Sequence, residues 1–215
     1  MRKHILSILT SIALVFAFTS TSNAETGVGV TLNLSSIETS GSETLRNSAK
    51  VTNADHEENV ALPEFFIENI TDTGAIGVAF IPVQELGTKS RSDTNSEGDT
   101  GSYKADAEVE DLLMVYADFN LTETAGHTVY GKIGFAHASI ITNESLNSGS
   151  TYGDQDVLGG IIGIGAKADF GGNYYYKLEA TYTDFEEYSD TGSGGSNISA
   201  DVEVMSAKVS VGYKF

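Results

Sequence analysis

The chain has 215 residues with 23 Gly, 2 Pro, no Cys and no Trp, and it carries 30 acidic against 12 basic residues, a formal charge of -18. An apolar fraction of 40% with ten Tyr and ten Phe is too rich for a disordered chain. The charge argues against nucleic acid, whose binding rests on phosphate neutralisation by Lys and Arg, and the lack of Cys removes disulfide frameworks, thiolate metal sites and acylated lipoprotein cysteines.

At the N-terminus Arg2 and Lys3 precede an apolar stretch from Ile5 to Phe18, and a polar run follows that ends in Ser22 and Ala24. This is the tripartite pattern of a secretory signal cleaved after Ala24. Its apolar core is shorter than the roughly 20 residues of a membrane-spanning helix. Residues 1–24 are therefore expected to be a signal peptide and 25–215 a single exported domain.

Downstream, runs rich in Val, Ile, Tyr, Phe and Gly recur between Asn, Asp, Ser and Gly clusters, without a sustained 3.6-residue period. Strands are expected over 26–37, 60–71, 75–86, 107–121, 127–142, 157–170, 174–187 and 198–215. The connections at 71–74, 122–126 and 171–173 are tight turns, whereas 38–59, 87–106, 143–156 and 188–197 are long and polar. Long and short connections alternate, so all long loops share one end and both termini the other. That is the arrangement of an eight-stranded antiparallel up-and-down barrel.

Within strands the faces separate. Met205, Ala207, Val209, Val211, Tyr213 and Phe215 share one face of the last strand, with Ser206, Lys208, Ser210, Gly212 and Lys214 on the other. A soluble barrel and a membrane barrel show the same period. The strands suit the 9 to 11 residues of a tilted membrane strand, and aromatic residues such as Phe119, Phe170, Tyr174 and Tyr176 gather beside the short turns as an interfacial girdle does. The expected fold is therefore all-β, a transmembrane barrel with its apolar face outward.

The C-terminal VSVGYKF, with Val209, Val211, Tyr213 and terminal Phe215, resembles the assembly signal of bacterial outer-membrane proteins, and VYGKIGFAHAS at 129–139 resembles the matching strand of small OmpA-like and opacity-type barrels. The resemblance implies an outer-membrane location, contact with outer-membrane lipid and lipopolysaccharide, and insertion by the barrel-assembly machinery. It implies no activity.

Five lysines of the expected strands, Lys132, Lys167, Lys177, Lys208 and Lys214, fall on the inward face, with Glu64, Glu68, Asp118, Asp169 and Glu179 as carboxylates to match. The turn at 171–173 sets Lys167 opposite Lys177, with Asp169 and Glu179 at diagonal positions. These residues are expected to form a paired polar interior; an ion-conducting lumen is the alternative.

Other motifs are weaker. Asp93 to Asp99 resembles the start of an EF-hand loop, but the twelfth position is Lys104 instead of a bidentate Glu, leaving weak divalent-cation binding at the acidic loops. His137 and Ser139 lie two apart on one strand face, locally similar to the His-x-Ser pair of a lipid A deacylase, with Glu144 the nearest acid and no orienting group evident. No cofactor, catalytic residue or metal ligand is assigned. The sequence thus reads as a non-enzymatic barrel presenting acidic external loops to a surface partner it does not identify, with a role in envelope integrity or surface interaction. A narrow passive channel and a lipid A-modifying enzyme are the alternatives.

Overall fold

A computed structural model describes residues 24–44, 51–82, 84–94, 100–146 and 151–215. The expected signal peptide 1–24, apart from Ala24, and residues 95–99 of the expected acidic loop lie outside the described residues. Among the described residues ten strands follow one another: β1 (Glu25–Thr44), β2 (Val51–Thr71), β3 (Gly74–Ile81), β4 (Gln84–Thr94), β5 (Thr100–Thr124), β6 (His127–Leu146), β7 (Gln155–Gly171), β8 (Tyr174–Phe185), β9 (Tyr188–Thr191) and β10 (Asn197–Lys214). Eight form an antiparallel ring in the order β1-β2-β3-β5-β6-β7-β8-β10, which β10 closes onto β1 from Gly27 opposite Lys214 to Thr44 opposite Asn197. Strand β4 continues the line of β3 but pairs only with β5, and the short β9 pairs with β10. The chain is a transmembrane β-barrel of eight strands.

Alternation has a physical direction here. Leu32, Phe135, Ile162, Met205 and Val209 are exposed on the outer wall, while Glu68, Asp118, Lys177 and Ser210 are buried within. Apolar side chains turned outward in such numbers make a lipid-facing belt. Near the short turns, Tyr213 meets Tyr174 and Phe215 edge to face, each with ring centroids 5.0 Å apart. Phe170 packs on Tyr174, and His127 bonds the Tyr176 hydroxyl, extending this aromatic girdle. The terminal strand is held to its neighbour to the last residue, where the Phe215 amide donates to the Thr26 carbonyl at 2.9 Å.

Two features depart from the expected boundaries. Much of the expected long loops is strand: β1 runs on to Thr44, β2 begins at Val51, β5 begins at Thr100 and β6 extends to Leu146. These extensions rise beyond the lipid belt, where water can wet both faces, so they carry no apolar alternation by which to recognise them. On the outer face of the extended sheet, Glu38 stands opposite both Glu57 and Glu203, and Glu203 opposite Asp184.

The second departure is a seam. The β2–β3 ladder runs from Thr71 opposite Gly74 to Phe65 opposite Phe80 and stops there, although β2 continues outward along β1. Carrying that register two rungs further puts Pro63 opposite Pro82, the chain's two prolines. Proline has no N–H to donate to a ladder, and within sheets it is confined to edges, strand starts and bulges. Beyond this rung no ladder joins β2 to β4 among the described residues.

Candidate functional site: an apolar chamber above a charged plug

Across the middle of the barrel, inward side chains form a closed layer. Lys177 Nζ lies 3.0 Å from Glu68 Oε2 and 2.9 Å from Asp118 Oδ2. Lys132 Nζ reaches Asp118 Oδ1 at 3.1 Å and Glu179 Oε1 at 2.8 Å, and Lys208 Nζ reaches Glu64 Oε2 at 2.8 Å. The Tyr116 and Tyr175 hydroxyls each donate to a Glu68 oxygen at 2.7 Å. All these groups are buried, and each carboxylate keeps a cationic partner, the condition on which buried charge survives.

Room for the rings comes from glycine. A Cβ placed on Gly212 would stand 2.3 Å from the Tyr175 ring, and one on Gly165 would stand 2.5 Å from the ring of Tyr130, which is fully buried. Inward positions on neighbouring strands are thus emptied so that tyrosines can lie across the lumen.

The other two lysines of the inward face behave differently. Lys167 stands opposite Lys177, but its ammonium lies 5.5 Å from the centre of the Tyr130 ring and reaches neither Asp169 nor Glu179. The register is the expected one, with Asp169 opposite Tyr175, but the diagonal pairing does not form because Glu179 is held by Lys132 at 2.8 Å and Asp169 lies at the exposed rim. There Asp169 pairs with Lys214 at 2.9 Å, and Lys214 also lies 3.5 Å from Glu25. Lys167, Asp169 and Lys214 line a polar vestibule at the turn end with His127, Asp72 and Glu123.

Above the plug, in the external half, the barrel holds a chamber of about 310 Å³. Leu62, Ile81, Val109, Leu112, Met114, Ala136, Ala138 and Val157 line one side, and Asn33, Ser35, Thr181, Thr183 and Ser206 line the other. Small clefts with mostly apolar walls and a few polar groups are the usual form of a ligand site. Lys208 lies at its floor. Tyr188 covers it, donating to the Gly153 carbonyl at 2.9 Å, while the Gly153 amide donates to Asp190 at 2.7 Å. Leu62, Ile81 and Pro82 bring the seam to the chamber wall. Sequence reasoning missed this chamber because Leu62, Met114 and Val157 are far apart in the chain and share it only when the ring closes.

The His137–Ser139 pair lies on the outer wall. Ser139 Oγ donates to Asp156 Oδ1 at 2.6 Å, and His137 Nε2 stands 3.9 Å from the same oxygen. The acid thus sits between hydroxyl and imidazole, whereas an activated serine needs the imidazole between hydroxyl and acid. Glu144, the nearest acid in the sequence, lies on β6 opposite Ala105. Among the described residues no group of three or more His, Asp or Glu side chains is arranged to hold a metal ion. The expected assembly residues Val209, Val211 and Phe215 are exposed on the outer wall, with Tyr213 half-buried beside them.

No family model and no curated protein sequence matches the chain. Among solved structures, the outer membrane protein OprG from Pseudomonas aeruginosa is similar at 14% identity and a TM-score of 0.53, over 90% of this chain and 98% of that one. The outer membrane protein AlkL, solved in lipid bilayers, is similar at 13% identity and a TM-score of 0.50, over 90% of each chain. At these identities the likeness is one of fold: a small barrel of the outer-membrane kind.

Proposed function

We propose that this protein is an outer-membrane barrel that takes up a small, largely apolar molecule from outside the cell and passes it sideways into the membrane. One observation carries the reading: an apolar chamber closed below by paired charges and flanked by an unzipped stretch of wall. A molecule in the chamber meets the Glu68–Lys177–Asp118 layer beneath it, where desolvating those charges is costly. The seam beside Leu62 and Ile81 offers an apolar path instead.

Export through the signal at 1–24, insertion by the barrel-assembly machinery acting on the terminal strand, and contact with lipopolysaccharide belong to the same proposal. So does the absence of enzymatic activity, which the order of Ser139, Asp156 and His137 supports. Contact with a cationic surface partner is a second role, favoured by the row Asp184–Glu203–Glu38–Glu57. Loss of polylysine binding in a variant with all four carboxylates made amides tests it.

Equilibrium binding of the fluorescent probe N-phenyl-1-naphthylamine to the detergent-solubilised barrel tests the main reading. Saturable binding is expected, and it should be lost in Ala136→Trp and Ala138→Phe, which fill the chamber from its buried wall. A shift in gel mobility on boiling checks that each variant is folded. Absence of saturable binding to the native barrel overturns the proposal.

A further inference from the structure

The geometry points to the class of molecule the chamber takes: a small neutral amphiphile with an apolar body and a single hydroxyl or carbonyl head, the head held by Thr181 and Thr183. This rests on the reading of the chamber as a ligand site and adds its chemical selectivity.

The two threonines lie two residues apart on β8, on the same inward face, and both line the chamber. They are 6% and 9% exposed. Nearby hydroxyls are satisfied within the protein: Ser35 donates to Asn33 Oδ1 at 2.7 Å and pairs with Ser206 at 2.8 Å, and Thr31 pairs with Ser210 at 2.8 Å. Thr181 and Thr183 have no such partner among the described residues. Both threonines line the chamber, so hydroxyls without a protein partner there are open to bond the head of a bound molecule. Each hydroxyl both donates and accepts, so a hydroxyl or a carbonyl can satisfy it.

The rest of the cavity sets the body and the charge. In the ring of eight, β3 is four places from β8 and therefore diametrically opposite. The threonines thus face Ile81, with Leu62 and Met114 on the flanking strands. A molecule with its head on β8 lays its apolar end toward the seam. An anionic head is disfavoured because the layer beneath holds four carboxylates, Glu64, Glu68, Asp118 and Glu179, against three ammonium groups, and Lys208 is already taken by Glu64.

Displacement of N-phenyl-1-naphthylamine from the full barrel by benzyl alcohol and by ethylbenzene, which differ by a hydroxyl in place of a methyl, tests this. The double variant Thr181→Val/Thr183→Val keeps the shape and removes both hydroxyls. Its affinity for benzyl alcohol should fall about tenfold, as the loss of one or two hydrogen bonds predicts, while ethylbenzene binds as well as before or better. Equal changes for the two ligands, or none, overturn the assignment of the threonines. Failure of both to displace the probe from a native barrel that binds it overturns the amphiphile class alone, whereas failure of the probe itself to bind overturns the ligand site.

Discussion

Lys167 and Lys177 stand directly opposite each other on β7 and β8, yet only Lys177 is held by carboxylates, Glu68 and Asp118. Replacing Lys177 with Met leaves two buried carboxylates short of a partner, so it should cost about 3–5 kcal/mol. The same change at Lys167 removes a half-buried ammonium that rests on a ring, and it should cost less than about 1 kcal/mol. Urea unfolding in lipid vesicles measures both, and equal losses would contradict the asymmetry.

The seam depends on two residues that cannot donate to a ladder. In Pro63→Val/Pro82→Val the amides are restored and β2 is expected to zip to β3 for at least two further rungs. Hydrogen exchange at Ala61, whose amide points across the seam as position 63 does, should slow, and transfer of N-phenyl-1-naphthylamine from the barrel to surrounding lipid should slow with it. Unchanged protection would show that something other than proline holds the strands apart.

Glu38 lies between Glu57 and Glu203 on directly opposed positions, and like charges so placed are destabilising. Glu38→Gln should therefore stabilise the external sheet by a few tenths to about 1 kcal/mol. Thermal unfolding in low salt should show the gain, which should shrink as ionic strength rises. A loss of stability in Glu38→Gln would mean that the row is neutralised by a bound cation.

The β5–β6 turn places Ala125 at φ 50° and Gly126 at φ 78°. Alanine is strained in this left-handed region and asparagine is tolerated there. Ala125→Asn gives the Asn-Gly pair preferred in such hairpins and should raise stability by about 0.5–1 kcal/mol. The unfolding midpoint measures it, with Ala125→Val as a control expected to move the other way.

Period-two alternation is a local property of the chain, and it was enough to place Lys132, Lys177 and Lys208 inside and Val209, Val211 and Phe215 outside. The sequence also determined the number of strands in the closed ring and the grouping of the tight turns at one end, because glycine and asparagine mark turns wherever they occur. It did not determine where β1, β2, β5 and β6 end, since a strand wetted on both faces has no alternation to read. Only the closed ring decided that Lys177 meets Glu68, 109 positions away, instead of a diagonal neighbour on its own hairpin. The ring also brought Thr181 and Met114 into one chamber and set Pro63 on the rung of Pro82. Contacts across a lumen depend on the register of all eight ladders together, and no single segment of sequence carries that information.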